Sequence, residues 1–167
     1  MASPAQASAS PHYTTNTGVR LSPEVKAKLT ELARRYHAAT GRTLLVTSGS
    51  RTPAEQARAM YNKLRLGDRL RGYRNQAAVQ PLVRIYDRGK RQRWSRDRIV
   101  AAMAEQIQGQ IDRGVYISRH LWEHAFDVRN FDMTARQKRA FLQAAREVGG
   151  LYVLEERRPP HFHLELR

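Results

Sequence analysis

The last seventeen residues, LYVLEERRPPHFHLELR (Leu151–Arg167), decide the fold class. Leu151 to Leu154 and Phe162 to Leu166 read as two short strands, joined as a hairpin around Pro159-Pro160. Side chains alternate along a strand, so His161 and His163 share one face while Phe162 packs on the other. Working back along the chain, Ala125 to Val128 and Val115 to Ser118 read as further short strands. Thr43 to Thr47 (TLLVT) is an apolar run with the length of a buried strand.

Helices account for most of what precedes them. Ser22 is an N-cap with Pro23 at the first helical position, and Val25, Leu29, Leu32 and Tyr36 form one apolar face that ends at Gly41. Thr52 and Glu55 make a capping box around Pro53, opening a second helix to about Leu66. Ser95 caps a third, with Ile99, Met103, Ile107 and Ile111 inward, and Thr134 with Gln137 opens a fourth that closes at Gly149. Residues 1 to 17 read as a flexible tail. The stretch around 68–94 shows no clean period and reads as a basic insertion with at most short elements. Helices come first and strands cluster late, which predicts an α+β domain over 18–167: a small antiparallel sheet flanked by helices.

Composition narrows the chemistry. The 167 residues contain no cysteine, so thiol nucleophiles, disulfides and cysteine-bound metals are excluded, and a metal must be held by His, Asp or Glu. No apolar run reaches the roughly 20 residues of a membrane span. Thirty Lys and Arg stand against fifteen Asp and Glu, a formal charge of +15 that favours anionic polymers as partners. Met1 to Ser10 lack the apolar core of a signal peptide, but Ala5-Gln6-Ala7 and Ala7-Ser8-Ala9 have the look of a cleavage region, which points to a periplasmic or secreted mature protein.

Four of the six histidines fall between residues 120 and 163; His12 and His37 stand apart and read as bystanders. Two imidazoles on one strand face suit a metal ligand beside an acid–base group. His120 and Asp127 supply one further nitrogen and one oxygen. Three protein ligands with one open position is the usual layout of a catalytic zinc site. The stretch SRHLWEHAFD (Ser118–Asp127) resembles the S-x-H-x-x-G-x-A-x-D motif of zinc D-Ala-D-Ala carboxypeptidases and phage L-alanyl-D-glutamate endopeptidases, whose fold is shared by the hedgehog signalling domain. His161-x-His163 resembles that family's last motif, and SGSRTP (Ser48–Pro53) with Gln56 resembles its S-G-Y-R-S/T segment. The three motifs stand in the family's order across residues 48–163.

The resemblance implies zinc held by His120, Asp127 and His163, with His124 at a variable position. It implies that Arg51 binds a substrate carboxylate or a developing oxyanion, and that Ser118 orients substrate. The departures are specific. Glu123 stands where the family has glycine, Ser50 where tyrosine is common, and Pro160 where carboxypeptidases carry the basic glutamate. The hedgehog-like layout would put an acid at Arg157, and Glu156 misses that place by one residue. Two candidates for the base remain open: Glu156, favoured by family comparison, and His161, favoured by strand geometry.

The expected function is hydrolysis of the peptide stems of peptidoglycan by a monomeric zinc peptidase, with anionic wall polymers as further partners. One competing reading is a metal-containing binding module that has lost the base. Another is a nucleic-acid-binding protein using the basic segment 84–98. It is disfavoured because Tyr86 and Trp94 are the segment's only aromatic side chains and no DNA-binding motif accompanies them.

Overall fold

Four of the helix starts are written in the sequence and form as written. The Ser22 hydroxyl accepts from the Val25 amide at 3.4 Å, Thr52 and Thr134 close capping boxes with Glu55 and Gln137, and Ser95 accepts from Arg98. The computed structural model describes residues 11–167, so the cleavage-like segment within residues 1–10 lies outside the described residues. The order is β1 (Tyr13–Thr15), α1 (Pro23–Thr40), β2 (Leu44–Ser48), α2 (Pro53–Arg65), α3 (Gln76–Arg91), α4 (Arg96–Ile111), a 3-10 turn (Arg119–Trp122), β3 (Ala125–Arg129), α5 (Ala135–Val148), β4 (Leu151–Arg157) and β5 (Pro160–Leu166). The class is α+β.

The five strands form one sheet in the order β1-β2-β3-β5-β4. From β2 to β4 every pairing is antiparallel, and β4 and β5 form the hairpin. β1 adds a parallel edge to β2, so the sheet is mixed. Residues 13–15, expected within the tail, are therefore fixed by pairing with Leu44–Val46, a tertiary contact too short to register as a pattern in sequence.

One sheet face is apolar. Leu44 and Val46 of β2, Phe126 and Val128 of β3, and Phe162 and Leu164 of β5 pack against Leu29, Leu32 and Tyr36 of α1 and Phe141 of α5. Phe162 stacks on Phe141 with centroids 4.5 Å apart. Each of these large side chains contributes roughly 1.5–3 kcal/mol by leaving water. The alternation that buries Phe126, Val128, Phe162 and Leu164 turns Asp127, His161 and His163 to the opposite face.

A second apolar cluster joins α2, α3 and α4 through Met60, Leu64, Val79, Leu82, Ile99, Met103 and Ile107. Here the sequence expectation needs correction. The region around 68–94 is not a structureless insertion: Gln76–Arg91 is a sixteen-residue helix capped by Asn75. Pro81 inside it and its many arginines obscure the period, but Ala78, Val79, Leu82 and Val83 still form a buried stripe. Gly89 lets α3 approach α4, because a Cβ there would lie 2.5 Å from Ile99. Residues 115–118, expected as a strand, form none. Ile117 is drawn into the helical cluster instead, and Ser118 caps the 3-10 turn.

Candidate metal centre

Three elements bring one donor each to the polar face of the sheet. Asp127 lies on β3 directly opposite His163 of β5, and the 3-10 turn carries His120 over them. His120 Nε2, His163 Nδ1 and Asp127 Oδ1 form a near-equilateral triangle: His120–His163 3.2 Å, His163–Asp127 3.0 Å and His120–Asp127 3.2 Å. All three residues are buried or nearly so, and together they form a group able to hold a metal ion.

The second nitrogen of each imidazole determines what the first can do. His120 Nδ1 lies 2.7 Å from the Gly49 carbonyl, which can only accept, so Nδ1 carries the proton and Nε2 offers its lone pair to the triangle. His163 Nε2 lies 3.1 Å from Glu165 Oε1; donation there leaves Nδ1 free to ligate. Two lone pairs and a carboxylate oxygen therefore converge. Tetrahedral zinc, with bonds of about 2.0–2.1 Å, separates its ligand atoms by about 3.3 Å. The triangle fits that spacing, and two imidazole nitrogens with one carboxylate oxygen are a donor set able to hold a metal ion such as zinc.

Without a metal the same atoms need a proton. Burial disfavours the His163 imidazolium, but hydrogen bonds to Asp127 and Glu165 outweigh it and raise the pKa to about 9. His120 goes the other way: burial lowers its pKa, and the attraction of Asp127 does not compensate. Burial would raise the Asp127 carboxyl, yet His120, His163 and Arg51 hold it well below the usual range. His163 is thus the one member of the triad that carries, at neutral pH, a proton on the atom facing the other two.

A ring of polar side chains surrounds the triad. Arg51 Nη2 reaches Asp127 Oδ2 at 2.7 Å, while its Nε and Nη1 reach Ser48 Oγ at 2.9 Å and Gln56 Oε1 at 3.3 Å. Gln56, fully buried, donates to the Tyr73 hydroxyl at 3.1 Å. The Tyr73 ring lies 5.5 Å from the Lys63 ammonium, and Lys63 is ion-paired with Glu156. Glu156 lies 3.8 Å from His161 Nε2, which in turn lies 3.6 Å from Asp127 Oδ1. His161 Nδ1 donates to the Pro159 carbonyl at 2.7 Å, so its Nε2 is the face turned toward the centre.

The sequence candidates sort as follows. His120, Asp127 and His163 come together; His161 and Glu156 lie on their rim. Arg51 reaches the site but is bound into it, orienting Asp127, and each terminal nitrogen keeps one N–H beyond the bonds to Gln56 and Asp127. Ser118 is turned to the backbone, where its hydroxyl caps the 3-10 turn by accepting from the His120 amide at 3.3 Å. His124 is outside, half-exposed and 3.7 Å from Glu24. His12 and His37 stack on each other with centroids 4.0 Å apart. Glu123, which stands where the resembling motif has glycine, adopts φ 61°, a left-handed conformation that glycine takes without strain.

Sequence reading missed Lys63, Tyr73 and Glu165. Glu165 had a signal, since it continues the alternation His161, His163, Glu165 on one strand face. Lys63 and Tyr73 had none, because α2 and the loop after it reach the sheet only in three dimensions. Gly49 has two constraints: its carbonyl fixes His120, and a Cβ would lie 2.0 Å from the Arg20 carbonyl oxygen. Compared with family models, curated proteins and solved structures, the chain finds no match in any of the three.

Proposed function

We propose that this chain is a zinc metallopeptidase acting on the peptide stems of peptidoglycan, of the D-Ala-D-Ala carboxypeptidase or endopeptidase type. The observation that carries the proposal is the His120–Asp127–His163 triangle, with both imidazole tautomers fixed by Gly49 and Glu165 so that three donors face one point. Zinc held there supplies a Lewis acid for a scissile carbonyl.

The chain's own residues supply the rest. His161 Nε2 is the better-placed base: it is turned toward the centre and presents a lone pair when neutral. It takes the proton of the attacking water and returns it to the leaving amine. Glu156, already bound to Lys63, positions His161 and balances the imidazolium formed. The two spare N–H groups of Arg51 meet the substrate carboxylate or the oxyanion. Periplasmic or extracellular location and a monomeric state belong to this reading. The test is digestion of purified peptidoglycan by the zinc-loaded protein, with products identified by mass spectrometry. Released stem fragments that disappear with chelator and in His161→Gln support it; an intact polymer with zinc bound refutes it.

One observation favours a second reading. The Lys63–Glu156 pair neutralises the only carboxylate near His161 besides Asp127 among the described residues, as a metal-containing binding module with a weakened base would have. Stem peptide bound by the zinc form without turnover is the outcome that distinguishes it.

A further inference from the structure

The segment 84–98 folds into the corner where α3 ends and α4 begins, and it carries a dense strip of free cations. Arg84, Arg88, Lys90, Arg91, Arg93, Arg96 and Arg98 are all exposed. None of them belongs to any of the seventeen ion pairs of the described residues. Of the two acids in the segment, Asp87 is already paired with Arg69 at 2.8 Å. Arg84, Arg88 and Arg91 follow one another at i, i+4 and i+7, on one helix face. Helix-dipole attraction at the end of α3 makes Arg88, Lys90 and Arg91 tolerable there, but it leaves their guanidinium and ammonium groups without an anion.

We propose that this corner is a docking surface for a flexible polyol-phosphate chain of the cell wall. Arginine forks match phosphate oxygens. Seven exposed cations spread over one segment suit a repeating anion held by many weak contacts. The segment's aromatic side chains are both engaged, which argues against bases. The guanidiniums of Arg88 and Arg98 lie over the Trp94 ring, 5.3 and 4.2 Å from its centroid, and Trp94 packs beside Gly89; Tyr86 stands edge-on to Tyr61 at 5.5 Å. No stacking platform is left for a nucleic acid. Among the described residues the exposed large apolar side chains are Leu66, Trp122 and Phe131, none of them in the segment, so the segment presents no large apolar side chain to a bilayer. The choice of a wall polymer rests on the peptidoglycan reading of the metal centre; the phosphate chemistry does not.

The experiment titrates the full chain with lipid-free poly(glycerol phosphate) over a series of salt concentrations. The parent is compared with Arg84→Gln/Arg88→Gln/Arg91→Gln and with a control, Arg113→Gln/Arg136→Gln/Arg139→Gln, of equal charge loss. Each phosphate contact on a single-stranded chain contributes about 0.7 to the slope of log K against log salt. The corner variant is expected to bind more weakly, with its slope reduced by about 2 on that basis, while the control keeps the parent slope. Equal losses in both variants overturn the proposal, as does no loss in the corner variant. Tighter binding of a single-stranded oligonucleotide with the same number of phosphates overturns it in favour of nucleic acid. Binding to phosphatidylglycerol vesicles but not to the polymer overturns it in favour of a lipid surface. The readout needs no hydrolysis, so an inert zinc centre and a failed docking surface give separable results.

Discussion

Adding zinc to the metal-free protein at pH 7 should expel close to one proton, and that proton should come from His163. In the metal-free site His163 Nδ1 donates to Asp127 at 3.0 Å and Nε2 lies 3.1 Å from Glu165, with a pKa raised to about 9. Zinc needs the Nδ1 lone pair, so the proton must leave. His120 contributes none, because burial holds its pKa below the ordinary value and Gly49 already fixes the tautomer with Nε2 free. Asp127 contributes none either, because its carboxyl is ionised well below neutrality. Below pH 9 the apparent zinc affinity should therefore climb about tenfold per pH unit, or about 1.4 kcal/mol, and level off above it. Calorimetric titration of zinc at one pH in buffers of different ionisation enthalpy measures the proton count directly. A count near zero would mean that His163 is neutral before zinc arrives, and a count near two would mean that His120 is also protonated; either refutes the assignment of tautomers.

The same proton couples to folding. Because the folded pKa of His163 is raised from 6.5 to about 9, its contribution to metal-free stability is full below pH 6.5 and is lost as pH rises through 9. The loss should be about 3 kcal/mol, read by urea unfolding at pH 6 and pH 9.5 with chelator present; unchanged stability would contradict the Asp127–His163 pairing. Arg51→Ala should destabilise the metal-free protein by about 3 kcal/mol, since it strips a partner from a buried carboxylate, and zinc should restore part of that loss; a normal unfolding midpoint would place Arg51 at the rim, free of Asp127. Glu123→Gly should stabilise by about 0.5–1 kcal/mol, because relief of the left-handed strain exceeds the added chain entropy. A lower melting temperature in that variant would show that the Glu123 side chain does more than occupy the turn.

What could be read in advance was local. Ser22, Thr52, Ser95 and Thr134 cap helices through contacts three residues away, so their signals survive in one dimension. The alternation at His161, Phe162 and His163 puts both imidazoles on one face and Phe162 on the other, whatever strand pairs with them. The residues that were illegible depend on distance in sequence. β1 exists because Tyr13–Thr15 lie beside Leu44–Val46, and Lys63 meets Glu156 ninety-three residues away. α3 was hidden by Pro81 and by exposed arginines that blur its apolar stripe, although Asn75 marks its start. Arg51 was placed near the centre by its motif, but its grip on Asp127, Ser48 and Gln56 required the fold.

The proposed activity requires a hydrolytic zinc centre built from His120, Asp127 and His163. The most direct test is a single preparation of chelator-stripped protein, reconstituted with one equivalent of zinc and incubated with purified peptidoglycan, with stem peptides followed by mass spectrometry beside a His163→Ala control. Zinc is expected to restore release of shortened or severed stems in the parent. His163→Ala, folded by circular dichroism, is expected neither to retain zinc on dialysis nor to release product. A His163→Ala protein that keeps a full equivalent of zinc, or a zinc-loaded parent that leaves every stem intact, would contradict the proposal.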